Sequence, residues 1–379
     1  MRRRNLSSTV LPTSTLETSD EVCSGPAAHS TGQDLKFFRI NPLQDPRWKS
    51  FTDWHPEASI FHTARWLEAL QSTFGYIPHV LTTSAPGTPL QDGLPFCEVR
   101  SMLTGNRLVS LPFSDHCQPL VSHHDAFDAL VASMTESVER QQWKFFEVRP
   151  ITYSPRPDSG FAVSGSFCFH RVDLRQSEQS IFKRFDKDCV QRKIRRAERE
   201  SLIYEEGHSD KLLHCFYKLN IMTRRRHGLP PQPLKWFRSL IAALGKDLQI
   251  RIAFKDDTPI ASILTLTYKK KMVYKYGGSD LRYSNLGGNA LVFWRAIQDA
   301  KAKGIQEFDL GRSDLDNEGL VIFKDRWGAE RSSLNYWRYP ASMCSSRTGN
   351  LIRKAKHLVA VAPEISLKMV SNLLYRHMG

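Results

Sequence analysis

One stretch constrains this chain more than any other: YKYGGSDLRYSNLGGNALVFWRAI, from Tyr274 to Ile297. Aromatic residues alternate up to Gly277 and Gly278, a second glycine pair stands at Gly287 and Gly288, and apolar residues then recur at helical spacing. The pattern predicts a strand, a short loop and a helix. The first turn of a helix carries unpaired N–H groups and a partial positive charge. Glycines at that point let an anion approach the backbone closely. In the loop, Arg282 brings positive charge, Asn285 tolerates a left-handed backbone, and Gly287 and Gly288 remove side chains ahead of Asn289. Together they suit a pyrophosphate. The plainer reading is a glycine-rich turn capped by Asn289.

The surroundings of this stretch decide between the two. Three strand-like runs precede or include it: LQIRIAF from Leu248, PIASILTLTY from Pro259 and MVYKYGG from Met272. A helix from about 288 to 303 and the strand EFDLG follow, and SSLNYWRYP closes the region. Upstream lie a long charged helix over 177–201 and two further helices, DKLLHCFYKLNIMTRRRHG and PLKWFRSLIAALG. The first half has the same order. A helix ends at Gly75, three strands begin near Pro78, Gly93 and Arg107, a helix covers 125–142, and the strand FFEVRP begins at Phe145. The expected fold is α/β (α+β): two tandem domains, each a mixed, largely antiparallel sheet flanked by helices. The expected boundaries are a disordered tail over 1–34, domains over 35–170 and 171–340, and a basic tail over 341–379.

Charge and composition narrow the partners. The net charge of +14 calls for a polyanionic neighbour such as nucleic acid, anionic lipid or a phosphorylated small molecule. No run of about 18 apolar residues exists, so a membrane-spanning helix is not expected. Nor does the N-terminus read as a secretory signal. The seven cysteines are scattered without a CxxC pair. They point to a reducing cytoplasm and away from a disulfide framework or a metal site. In the C-terminal tail, Leu351, Ile352, Ala355, Leu358 and Val359 fall on one side and Arg353, Lys354 and Lys356 away from it. Such a helix can lie on an anionic leaflet, or pack back on the body.

The strand–loop–helix unit resembles the pyrophosphate loop of the GNAT superfamily of acyl-CoA N-acyltransferases, with Arg282-x-x-Asn285-x-Gly287 in place of Gln/Arg-x-x-Gly-x-Gly/Ala. The tandem arrangement resembles FemAB-type proteins and the related acetyltransferase domain of bacterial polysaccharide loci. The segments carrying that likeness are FHTARWLEAL, LPFSDHCQPLV, CVQRKIRRAERESL, TRRRHGLPP, the Gly277–Asp314 block and GLVIFKDRWGAE.

The resemblance implies acyl transfer to an amine between two splayed strands. A backbone N–H near Tyr276 or Gly277 would polarise the acyl carbonyl. Asp309 is the first candidate for the base and Asp314 the second, and either could instead pair with Arg312. Lys324 could neutralise a phosphate or a developing oxyanion, and Trp327 would sit by the cleft or in the core. Arg282, Asn285, Gly287, Gly288 and Asn289 would hold the donor. In the first half the loop PFSDHCQPL has no glycine and carries Asp115. That carboxylate would repel a diphosphate, so Asp115 and His116 are expected on the acceptor side. A His116–Cys117 nucleophile pair is disfavoured because sequence neighbours rarely face each other.

The function implied first is a cytoplasmic N-acyltransferase, free or peripheral on the inner face of the membrane. It would move an acyl group, acetyl being the one expected, from acyl-CoA to an amine or amino sugar of a cell-envelope or exopolysaccharide precursor, with no metal. The alternatives are an aminoacyl-tRNA-dependent aminoacyltransferase building peptidoglycan bridges and a catalytically inactive binding protein of a polysaccharide assembly system. In the tRNA reading the basic clusters Arg192–Arg199 and Arg224–Arg226 would meet the nucleic-acid backbone.

Overall fold

The computed structural model describes residues 35–344 and 374–377. The N-terminal tail, and the apolar and basic positions that suggested a membrane-surface helix, lie outside them. The first half runs β1 (Phe38–Ile40), α1 (Pro46–Trp54), α2 (Ala64–Phe74), β2 (Ile77–Thr82), β3 (Leu94–Val99), β4 (Arg107–Val109), α3 (His124–Arg140), β5 (Phe146–Val148) and β6 (Ala162–Asp173). The second half runs α4 (Glu178–Arg184), α5 (Arg192–Arg199), β7 (Ile203–Gly207), α6 (Asp210–Arg226), α7 (Leu234–Leu244), β8 (Leu248–Lys255), β9 (Thr258–Tyr268) and β10 (Lys271–Ser279). It ends with α8 (Gly288–Ala302), β11 (Glu307–Asp314), α9 (Glu318–Asp325) and β12 (Glu330–Tyr339).

The twelve strands of the described residues form one sheet in the order β1-β2-β3-β4-β5-β12-β6-β11-β10-β9-β8-β7. The repeated order of elements appears in space. In each half three antiparallel strands lead through a helix to a fourth strand parallel to the third: β4 with β5, and β10 with β11. The fold is the expected mixed, largely antiparallel tandem.

The sequence reading misses how the halves join. The boundary expected between residues 170 and 171 falls inside β6, which pairs with β11 on one side and β12 on the other. In turn β12, the last strand of the second half, pairs with β5 of the first. The long helix expected over 177–201 is broken. Phe185 is extended and buried, and the Asp186 carboxylate caps a separate single π-turn, accepting from the Cys189 N–H at 2.6 Å. One apolar cluster crosses the halves: Trp66 of α2 meets Trp236 of α7 edge-to-face at 5.3 Å.

Candidate active site

The site begins where β10 and β11 part. They pair in parallel only at Lys271, Met272 and Val273 against Glu307, Phe308 and Asp309, then run on to Ser279 and Asp314 without pairing with each other. The cause on the β11 side is a break in its register with β6 between Asp309 and Arg312, where Gly311 adopts φ +70. The Asp309 carboxylate accepts from the Gly311 N–H at 2.6 Å. From the other side Lys324, 2% exposed, donates to the Gly311 and Arg312 carbonyls at 2.9 Å each. The expected phosphate-neutralising lysine is thus engaged in pinning the bulge that opens the split.

A loop from the first half fills the opening. It leaves β4 through two non-glycine residues at positive φ, Leu111 at +51 and Phe113 at +60. Each such residue costs about 1–3 kcal/mol and persists only where its surroundings hold it. Arg149 does so by donating to the Leu111 and Ser114 carbonyls, and Tyr336 by donating to the Asp115 carbonyl at 2.5 Å. The loop delivers Asp115 to within 3.2 Å of Lys275 on β10. A side chain at Gly311 would start 2.7 Å from the Asp115 carboxylate, so that carboxylate lies against the bulge. His116 Nε2 meets Asp309 Oδ2 at 2.8 Å, both residues buried. Asp115, His116, Asp309 and Lys324, expected from two different domains, therefore form one cluster.

Electrostatics divides their roles. Burial would raise the Asp115 carboxyl, but the Lys275, Arg312 and Lys324 charges outweigh it and hold it below the usual carboxylate range. It is a fixed anion suited to holding a cation. Burial lowers Lys324 to about 8, against the pull of the Asp115 and Asp309 charges. Asp309 has one oxygen on Gly311 N–H and the other on His116, so it orients its neighbours. Arg312 stacks on Phe167 at 4.0 Å and Tyr336 at 5.0 Å, while Asp314 lies exposed at the end of β11. Cys117 faces His62 at 3.6 Å, and burial pushes its thiol up to about 12, which removes it as a nucleophile.

The glycine loop differs in detail from expectation. Asn285 sits inside a 3₁₀ turn over Leu281–Leu286 and is not left-handed; Gly287 takes that conformation at φ +86. A Cβ at Gly287 would lie 2.2 Å from the Lys193 carbonyl oxygen, so this glycine is required by close packing on α5. Arg282 turns back to Asp280 at 2.6 Å. No side chain caps α8, contrary to the capping role considered for Asn289. Its first turn, with Gly287, Gly288 and Asn289, lines a cleft of about 140 Å³ that also includes Lys193 and Arg326. Ser279, Asn289 and Phe323 line this cleft and also a second one of about 360 Å³, reached by Tyr274, Gly277, Gly278 and Arg226. The two clefts thus adjoin, from the α8 N-terminus to the C-terminal part of β10.

Trp327 is 1% exposed and stacks on Phe293 at 5.1 Å, which makes it a core residue at the wall of the smaller cleft. The Tyr276 side chain also faces the core, its hydroxyl accepting from Trp236 Nε1 at 2.9 Å. Sequence reasoning missed Lys275 and Tyr274. The Tyr274 hydroxyl occupies the space a Cβ at Gly277 would need, at 2.3 Å. Burial, then the Asp115 charge, pushes that hydroxyl up to about 12. The bulge between Tyr274 and Tyr276 breaks the alternation that would have assigned these side chains to faces.

Comparison with known proteins bears on the fold. The model of the acetyltransferase (GNAT) domain matches residues 187–319. A UDP-N-acetylmuramoylpentapeptide-lysine N(6)-alanyltransferase of Weissella viridescens is 26% identical over 140 residues, 35% of this chain. The chain spans 40% of that relative's length. Among solved structures, FemX superposes with a TM-score of 0.61 at 14% identity, covering 79% of this chain and 96% of FemX. A tandem GNAT protein from the clavulanic acid biosynthesis pathway gives 0.51 at 11% identity, covering 80% and 97%. At such identities these two structures speak for the fold.

Proposed function

We propose, from the premise that the chain is a tandem GNAT-fold N-acyltransferase, that it moves an aminoacyl group from an aminoacyl-tRNA to an amine of a cell-envelope precursor. The observation that carries this reading is the loop of the first half, which sets a half-buried, ionised Asp115 into the strand split of the second. A fixed carboxylate there suits the ammonium of an incoming amine. The alanyltransferase relative, named for transfer to a lysine N6, supports an acceptor of that kind.

In this reading the carrier's terminal phosphates lie at the uncapped N-terminus of α8 beside Lys193 and Arg326. The aminoacyl ester follows the adjoining clefts to Tyr274 and Gly277. Asp115 draws the acceptor ammonium to the split. The C–N bond forms as the ester C–O bond breaks. Of the two protons the nitrogen loses, one goes to the departing carrier oxygen and one to solvent. Tyr274, protonated at neutral pH, is suited to donate to that oxygen.

Acetyl transfer from coenzyme A is the second reading. The match to an acetyltransferase domain and the helix N-terminus favour it. The Arg282–Asp280 pair and the Asp280 carboxylate in the smaller cleft bear on the phosphates of either donor alike, and it is the alanyltransferase relative that favours the aminoacyl donor. The deciding assay offers UDP-N-acetylmuramoyl pentapeptide with either donor and reads product mass. The expected result is an aminoacylated product with charged tRNA that disappears after ribonuclease. Thiol release from acetyl-CoA, with no product from charged tRNA, would establish the second reading instead.

A further inference from the structure

The described C-terminal residues, 374–377, return to the body and touch both halves. Tyr375 is 3% exposed. Its hydroxyl donates to the Pro230 carbonyl at 2.9 Å and accepts from Arg224 Nη2 at 2.7 Å, both in the second half. Its carbonyl accepts from the Tyr76 hydroxyl at 2.8 Å, in the first half. Two residues on, the His377 carbonyl accepts from Arg107 Nη2 at 2.8 Å and Thr104 Oγ1 at 3.1 Å, and the His377 ring meets the Ser101 hydroxyl at 2.9 Å.

The Tyr375 ring also lies 5.7 Å from that of Phe113. Phe113 is the left-handed residue two positions before Asp115. Its other ring neighbours are Phe74 at 4.8 Å, Trp236 at 6.0 Å and Tyr76 at 6.2 Å. Trp236 holds Tyr276, the residue after Lys275. Tyr375 therefore packs on the base of the loop that enters the split and on the wall behind the strand that receives it.

We propose that Tyr375 is a positioning residue for the Asp115–His116 loop, so that the C-terminal segment latches the two halves around the site. A left-handed residue persists only where its surroundings over-determine it: Arg149 and Tyr336 hold the backbone around Phe113, and Tyr375 is one of the four rings that hold its side chain. When the ring is removed, Phe113 is free to leave its conformation and Asp115 moves off Lys275. A displacement of about 1 Å at a reacting group can lower turnover about a hundredfold. The donor cleft at α8 has no part in this contact.

The consequence for turnover rests on the acyl-transfer reading, but the movement of the loop does not. Tyr375→Ala and Tyr375→Phe are therefore compared with the wild type in the full chain by hydrogen exchange of residues 111–117, with no substrate present. Expected is faster exchange of these amides in Tyr375→Ala, with α3 unchanged, and near-wild-type exchange in Tyr375→Phe. With a working donor, kcat of Tyr375→Ala falls about tenfold to a hundredfold while the donor KM stays within about twofold. If Tyr375→Ala does not fold, Tyr375→Leu, which keeps apolar volume without the ring, takes its place. Unchanged exchange over 111–117 on loss of the ring overturns the proposal, whatever happens to activity. Faster exchange in a protein that transfers no acyl group from any donor upholds the latch and overturns only the assigned reaction.

Discussion

Lys324 sits in the centre of the charge cluster, and its titration can be read from outside. Its folded-state pKa is about 8, lowered by burial from 10.5 in the unfolded chain. Between these values the unfolded chain holds the proton and the folded chain does not. Stability from this group therefore rises with pH from about 8 to about 10.5, and it is lost as pH falls through 8. The shift amounts to a few kcal/mol, on the order of 1.4 per pKa unit. In Lys324→Met the slope should vanish, so urea titrations should show the stability difference, wild type minus variant, growing with pH across that window. Parallel curves would mean that the lysine is not buried as described. Asp309 gives a second residue-scale test. Its two oxygens serve Gly311 N–H and His116, so Asp309→Asn keeps its acceptor on Gly311 N–H only by turning an N–H toward His116 Nε2, which forces the ring proton onto the buried, unpartnered Nδ1. The cost should be about 1–3 kcal/mol of stability. Combining it with His116→Phe should cost less than the sum, because residues in contact are coupled. Additive losses in that double-mutant cycle would separate the two side chains. Of the cluster's members, Asp115, His116, Asp309 and Lys324 were legible in the sequence as residue types in suggestive loops. Their mutual contact was not, since it depends on the Gly311 bulge and on two left-handed residues with no glycine to announce them.

At the scale of elements, α8 and its loop were the most legible part of the chain. The glycine pairs and the apolar spacing mark a strand end, a turn and a helix start, and these fall within a residue or two of the expected bounds. What each glycine does was less visible: one packs on a carbonyl of α5, a contact no local pattern encodes. Consequently Gly287 is a poor position for testing the proposed donor site, since any side chain there is strained twice over, by φ and by the carbonyl. Asn289 is better placed, being exposed and on the wall of both clefts. Asn289→Asp puts a negative charge in the first turn of a helix, which should stabilise the fold by about 0.3–1 kcal/mol. The same charge should repel an anionic donor. The expected signature is a higher melting temperature with a raised donor KM, two effects that ordinary damage would not combine. A donor KM unchanged by this substitution would remove α8 from the donor site. The strands β6 and β7 were not foreseen at all. The outer half of β6 alternates poorly because it is only partly buried, and β7 follows a helix too closely for a window to separate the two.

At the scale of the whole molecule, the repeat of element order predicted two domains, and the two halves do share a topology. They do not behave as beads on a string. In the sheet β12 is inserted between β5 and β6, and β6 carries β11 on its other edge, so the second half's last strand completes the first half's sheet. Such pairing joins strands far apart in sequence, and periodicity within a strand says nothing about which edge it will find. The same interleaving extends to the core, where Trp66 and Trp236 share one cluster, and to the site, where the loop of one half fills the split of the other. Unfolding either half alone would strip partners from β12 and β6 and open Trp66, Trp236 and Asp115 to water together. Independent domains with a small polar interface would instead melt separately. Residues 36–344 should therefore unfold in one cooperative transition, with calorimetric and van't Hoff enthalpies in agreement. Asp309→Asn should shift that transition as a whole. Two resolved transitions, or a variant in the second half that lowers only one of them, would show that the shared sheet does not couple the halves, and the site between them would then have to be assembled by a ligand.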